Sequence, residues 1–328
     1  MRRTKTPGPG LGRVAAVTAA AWAVTLGAGT AATAEVTCPE GYPSKPITFY
    51  VGFAAGGGTD AIGRSIAQAI EKAQGWTIVV ENKPGAASGV MNLSLKSMPA
   101  DGYHIGVGSS ESMVWNPSNG DMGYHYTDFE FLGSAMDSWN SFVALSTAPF
   151  DDIASFVEYA REKGMATVSL AGFNQQLVVE QLAEQYGVNL VAVQGAGASE
   201  SMMTALGGHV DATMQATLHI PELKNGNMKQ IASLTNRRLP YAPDSGTLEE
   251  QGATAIPIVS ATTFTTPLGL DPALKSCLQE VIDVAVKSPE FKELTDKYDN
   301  EPVNLGEAAL IEQIETRDAQ FRALAASN

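Results

Sequence analysis

Short apolar runs, loops of small residues and amphipathic stretches follow one another along this chain in the order strand, loop, helix. Residues 47–53 are apolar and β-prone, and too few for anything but a buried strand. Residues 54–58 form a loop of two alanines and three consecutive glycines. Thr59 and Asp60 are residue types that cap free backbone N–H groups, so a helix is expected to open there. Ile62, Ile66, Ala69, Ile70 and Ala73 give it one buried face. The unit then repeats. Residues 76–81 read as a second strand, 82–89 as a second loop of small residues, and a helix follows with Val90, Leu93 and Leu95. After a turn at 99–102, residues 103–108 are a third strand, ending in Ser109, Ser110 and Glu111. Three such units imply a parallel sheet. Ligands of such sheets bind beyond the C-terminal strand ends, and the loops at 54–60, 85–89 and 109–111 all fall on that edge. A glycine-rich turn before a helix lets backbone approach a ligand and directs N–H groups and the positive helix end at it. The object it suits is an anion with oxygens, a carboxylate or a phosphate.

Residues 115–127, rich in Asn, Gly, Pro and aromatics, read as a long irregular surface loop. Short strands follow at 129–132 and 141–146, and 137–140 between them is where a first lobe would pass to a second. The middle third has βα repeats of its own. A helix opens at Asp151 and Asp152, with strands at 167–170, 189–193, 210–215 and 228–235. The loops at 171–176 and 194–199 lead into helices. An extended stretch from 256 to 264 would return the chain to the first lobe. Helices then start at Asp271-Pro272 and Ser288-Pro289, with Pro at the first helical position, and a long amphipathic helix spans 307–326. The expected architecture is α/β and two-lobed. Residues 35–138 plus 259–328 form lobe 1 and 139–258 form lobe 2. Two hinge crossings join them, and a ligand cleft lies between.

Composition narrows the partners. Hydrophobic residues make up 44% of the chain and charged ones 17%, as in a folded globular protein. A formal net charge of −14 speaks against nucleic acid, which needs clustered Lys and Arg. It leaves room for a small anion, because backbone amides can bind one without side-chain charge. Residues 1–34 carry the pattern of an export signal. Arg2, Arg3, Lys5 and Arg13 precede an apolar run at 14–28, and Ala32-Thr33-Ala34 is an A-x-A cleavage site. Cys38 and Cys277 would then sit in an oxidising compartment, where they either form one disulfide or remain two unpaired thiols.

Catalytic and metal chemistry finds no foothold. His104, His125, His209 and His219 are scattered, without HExxH or a Cys/His cluster. Ser199 lacks the second glycine of a nucleophile elbow, and the glycine loop lacks the Gly-Lys-Ser/Thr of a P-loop. No enzyme and no cofactor are expected. Phe53, Trp115, Trp139 and Phe173 could wall a cleft, and Trp139, beside the handover, is the one expected to touch ligand. Asp60 is expected to organise amides and water rather than meet an anion directly.

Several runs resemble one family. Pro43-Ser44-Lys45-Pro46-Ile47, Gly52-Phe53-Ala54-Ala55-Gly56-Gly57-Gly58-Thr59-Asp60 with Arg64, and Val79-Val80-Glu81-Asn82-Lys83-Pro84-Gly85-Ala86 look like the start of the Bug receptors. These are the periplasmic substrate-binding proteins of tripartite tricarboxylate transporters. Pro99-Ala100-Asp101-Gly102-Tyr103, Ala205-Leu206-Gly207-Gly208-His209-Val210-Asp211 and Ser288-Pro289-Glu290-Phe291 extend the likeness over nearly all of the chain after the signal. The resemblance implies a type II-like binding protein, monomeric, that holds a ligand carboxylate through loop amides and ordered water. It also implies a two-component membrane permease as partner. Carried onto this sequence, Gly56, Gly57, Gly58, Thr59, Asp60, Ala86, Ala87 and Ser88 would be contacts of the first lobe, with Ser109 on the same edge. Asn174, Gln194, Gly195 and Gln215 would join Phe173 from the second.

The chain departs from the family where a Gly/Ser-rich loop ending near His reads Ala171-Gly172-Phe173-Asn174-Gln175-Gln176. It departs again where Tyr-Lys-Gly reads Val193-Gln194-Gly195, at Ala55, and in the segment 240–252. A less cationic second lobe suits a mono- or dicarboxylate, with an aromatic or apolar body near Phe173, better than a citrate-like trianion. A receptor presenting its ligand to a sensor kinase would use the same fold. A secreted α/β enzyme would need an activated nucleophile or base that the sequence does not supply.

Overall fold

Two five-stranded sheets, built on the same plan, dominate a computed structural model that describes residues 36–114 and 122–327, with side chains to 322. The export signal and most of the aromatic loop after residue 114, Trp115 included, lie outside the described residues. In the first sheet the order is β2-β1-β3-β10-β4: β1 Ile47–Val51, β2 Ile78–Asn82, β3 His104–Ser109, β4 Phe129–Trp139 and β10 Val259–Pro267. Strand β1 runs parallel to both β2 and β3, whereas β10 is antiparallel to β3 and β4. The sheet is therefore mixed, parallel where the βα repeats made it so and antiparallel where the chain returns. The second sheet has the order β7-β6-β8-β5-β9: β5 Ser141–Leu145, β6 Ala166–Leu170, β7 Leu190–Gln194, β8 Ala212–Gln215 and β9 Met228–Ser233. Again three strands are parallel, and the fourth, β5, is antiparallel to both of its neighbours, β8 and β9.

Each βα step places a helix N-terminus at the C-terminal end of a strand. Helix α1, Gly58–Gln74, follows β1, and α2, Gly89–Lys96, follows β2. In the second sheet α3, Ile153–Lys163, precedes β6. Helix α4, Phe173–Tyr186, follows β6, α5, Ala198–Leu206, follows β7, and the short α6, Ile220–Lys224, follows β8. The chain ends in α7 Pro272–Val286, α8 Pro289–Lys297 and α9 Gly306–Ser327. Helix α1 starts one residue earlier than its cap-type residues suggested. Gly57 is the N-cap, and Thr59 and Asp60 lie inside the first turn. Strand β4 has eleven residues rather than four, so Asp137, Ser138 and Trp139 belong to it and the handover shrinks to Asn140. On α2 only Leu95 of the three apolar residues is buried; Val90 and Leu93 are exposed.

Separate cores hold the two sheets. Under the first, Phe49, Val51, Ile66, Ile70, Val107 and Phe264 pack with Cys277, Leu278 and Val281 of α7. Cys38 is disulfide-bonded to Cys277, with Cα atoms 5.2 Å apart, which fastens the start of the described chain to that helix. Under the second, Phe142, Phe150 and Phe156 meet edge to face around 5 Å apart, with Val168, Leu170 and Met214 beside them. The crossings lie side by side: Val259 pairs with Trp139, Leu234 N–H donates to Asn140 C=O, and Ile258 N–H to Leu234 C=O.

Candidate functional site

Between the two sheets lies a cleft lined from both sides, by Phe53, Gly57, Gly58, Thr59 and Ala87 of the first lobe and Gly172, Asn174, Gln175, Ala198 and Thr217 of the second. Three helices begin on it: α1 after Gly57, α4 after Gly172 and α5 after Gly197. All three N-caps are glycine, and none has a side-chain cap hydrogen bond. The first N–H groups of a helix have no acceptor within the helix. A Ser or Asp cap would occupy one of them with its own oxygen, and glycine leaves them for an incoming oxygen. Among the described residues that line the cleft none is Lys, Arg or His, and Glu111 is the one ionisable side chain.

The loop that carries Gly57 is shaped from below. Asp60 is 4% exposed and accepts hydrogen bonds from Gly56 N–H (2.9 Å), Arg64 Nε (3.0 Å) and Asn82 Nδ2 (2.8 Å). Asn82 Nδ2 also donates to Phe53 C=O at 3.0 Å. Burial alone would push the Asp60 carboxyl up, but the bonds from Arg64, Gly56 and Asn82 outweigh it and hold the group below the usual 3.8. The neighbouring loop is strained. Ala86, Ala87 and Ser88 have φ of 46°, 47° and 81°, three successive non-glycine residues in the left-handed region. Such backbone costs about 1–3 kcal/mol per residue and clusters where a ligand is held.

Across the cleft, Gln175 Nε2 donates to Asn140 Oδ1 at 3.0 Å, and Gln175 Oε1 accepts from Ala171 N–H at 2.8 Å. This ties the second-lobe loop to the crossing. The lobes touch at the glycine loop: Ser199 Oγ donates to Gly56 C=O at 2.9 Å, and a Cβ on Gly58 would stand 2.5 Å from Thr217 Oγ1. Glu111, at the end of β3, is buried and ion-paired to Arg317 of α9. Burial pushes its carboxyl above the usual range, and the guanidinium works against that without undoing it.

The sequence profile of the tripartite tricarboxylate transporter family receptors matches residues 62–325. The chain belongs to that family. It is a periplasmic solute-binding receptor and not an enzyme. A protein of Cupriavidus necator, described as a UPF0065 protein in the gbd 5′ region, is 28% identical to the receptor over 293 residues, 85% of this chain and 86% of that one. The solved structure of the periplasmic binding protein BugD is 25% identical, with a TM-score of 0.77 over 87% of this chain and 98% of its own. A Rhodopseudomonas palustris protein, Rpa4515, solved with adipate, has a TM-score of 0.76 at 22% identity over 87% and 97% of the two chains.

Of the residues the sequence singles out, Phe53, Gly57, Gly58, Thr59, Ala87, Ser109 and Asn174 line the cleft of the receptor. Gly56 and Asp60 shape the loop without lining it, and Ala86 and Ser88 flank Ala87. Trp139 does not line it either. It sits on a separate cavity behind the crossing, 6.2 Å from Tyr241 and under the Arg237 guanidinium. Gln215 is out of phase: strand alternation puts Met214 and Ala216 on the cleft, while Gln215 Nε2 donates to Thr213 Oγ1. Phe173 is half-buried outside the lining. Gln194 is exposed and donates to Gly195 C=O, beyond an edge strand. Sequence reasoning passed over Asn140, Gln175, Thr217, Ser260 and Thr262 as lining residues. Asn140 and Gln175 are 35 residues apart, and no local pattern joins them.

Proposed function

We propose that the receptor captures a small dicarboxylate between its lobes, one carboxylate against the N-terminus of α1 and the other against the N-termini of α4 and α5. The observation that carries this is the meeting of three glycine-capped helix starts on one cleft that, among the described residues, has no lining cation. Backbone dipoles supply the positive potential there, and ordered water completes the coordination of each carboxylate. The adipate bound to Rpa4515 is a dicarboxylate on the same fold. Phe53, Gly57, Gly58, Thr59, Ala87, Ser109 and Asn174 contact ligand, with Asp60 and Gly56 holding the loop in shape.

Residues 35–139 plus 259–328 and residues 140–258 are the two bodies that close on it, Trp139 going with β4. The chain is exported, cleaved after Ala34, acts as a monomer and delivers its ligand to a two-component membrane permease. Calorimetry on the mature protein with a panel of C4 to C6 dicarboxylates tests the reading. Saturable one-to-one binding of at least one of them is expected, and its absence across the panel would overturn it.

A further inference from the structure

Among the described residues, the one ionisable group on the cleft wall has the sign a carboxylate ligand should avoid. Glu111 is 4% exposed, between Ser109 and Ser112 at the end of β3, and lines the cleft. Arg317 gives Glu111 two hydrogen bonds, from Nε at 3.0 Å and Nη2 at 2.7 Å, both to the same oxygen, Oε1. The other oxygen, Oε2, is buried, and no donor among the described residues meets it in full hydrogen-bond geometry, although the Val259 N–H of β10 stands close enough to the carboxylate to work, with Arg317, against its burial. Its neighbours are engaged elsewhere: Ser109 Oγ accepts from Glu111 N–H, and Ser112 Oγ donates to Ser109 C=O. The Arg317 pair explains how the charge is tolerated. It does not explain why an acid stands here, since an apolar residue of similar size would usually cost less than a buried ion pair. A buried carboxylate oxygen without a well-formed hydrogen bond, on the wall of a binding cleft, leaves a place for a donor from the ligand.

We infer that Glu111 is a specificity-determining residue: it accepts a hydrogen bond from a hydroxyl or ammonium group of the ligand, so that the receptor selects hydroxy- or amino-substituted dicarboxylates over plain ones. The inference rests on the dicarboxylate reading of the cleft and deepens it. Strands β1 and β3 are neighbours, so Glu111, just past the end of β3, and the loop that leads from β1 into α1 lie on the same edge of the sheet. A hydroxyl or ammonium group beside the carboxylate held at α1 would face Glu111 from that same edge. A carboxylate turned the other way would meet Glu111 as a like charge in a medium of low dielectric. The residue therefore fixes orientation as well as choice.

The test is calorimetry on the mature protein with two matched series, succinate, malate and aspartate, and glutarate, 2-hydroxyglutarate and glutamate. In at least one series a substituted acid should bind about ten-fold or more tighter than its plain parent, as expected where a site is built to hydrogen-bond that group. In E111Q the advantage of the amino acid over its plain parent should collapse. E111D, which keeps the charge, should preserve the order of preference. Equal affinity for plain and substituted acids in both series would overturn the role of Glu111 and leave the dicarboxylate reading standing. So would an E111Q protein that melts cooperatively and loses affinity for all ligands alike. No binding in either series overturns both. The comparison in the unsubstituted protein decides the matter even if a variant fails to fold.

Discussion

Asp60 gives its carboxylate to the loop that precedes it, and that choice sets how the glycine loop responds to acid. Its carboxyl lies below the usual 3.8, so the stability it contributes is present above that value and is lost as pH falls through the lower, folded-state one. Asp60→Asn should cost about 2 kcal/mol near neutral pH, the range of hydrogen bonds to a charged group. The gap between the two melting temperatures should close in an acid titration as the native residue is itself protonated. A gap constant down to strongly acidic pH would mean that the charge does not matter. At this scale the sequence was legible where a residue type has one use. Three consecutive glycines point to backbone that must come close to something. It was illegible where the use is imposed from afar. Ala86, Ala87 and Ser88 do not announce left-handed backbone, since glycine or asparagine would be the residues to expect there. Trp139 looked like a cleft wall because it neighbours the handover, but its ring is taken up by Tyr241 and Arg237.

Helix starts are the working elements of the cleft. Glycine at the N-caps of α1, α4 and α5 forgoes the stabilisation that Ser or Asp would give each helix. Gly57→Asp should therefore separate stability from binding. The backbone at Gly57 is extended, with φ −84° and ψ 170°, as an Asp N-cap requires. The new carboxylate would cap α1 and hold stability or raise it by about a few tenths of a kcal/mol, while occupying the place of the ligand's own carboxylate. Dicarboxylate affinity should fall by about 1.4 kcal/mol or more, a factor of ten. Unchanged affinity in a calorimetric titration would place the ligand's acid group elsewhere. Thr59→Ala, by contrast, removes one hydroxyl from the same turn and should weaken binding by about 1 kcal/mol. Strand and helix succession was readable at this scale because the periodicity is local. What escaped was reach: β4 continues to Trp139 because its whole length pairs with β10, some 120 residues further along, and nothing near residue 133 announces that partner.

At the scale of the whole molecule the cleft works only if the lobes can meet, and their meeting point is a glycine. Ser199 already reaches Gly56 across the gap, Arg237 of the second lobe pairs with Asp137 at 3.4 Å, and Lys224 with Asp299 at 2.8 Å. None of these surface pairs is strong by itself, and each can re-form after a small shift. The contact at Gly58 cannot: a Cβ there would lie 2.5 Å from Thr217 Oγ1, on a short, branched side chain that is itself buried. Gly58 stands in the first turn of α1 with ordinary helical backbone, so a larger residue does not disturb its own lobe. Gly58→Val should thus melt as the native protein does, yet hold the lobes apart. In small-angle scattering the native protein is expected to contract when saturated with a dicarboxylate that calorimetry shows to bind. The variant should keep the dimensions of the ligand-free form at the same ligand concentration, with affinity reduced because only one lobe's helix start can be engaged. Contraction of the variant to the native extent would show that Thr217 yields and that closure is not limited at this contact.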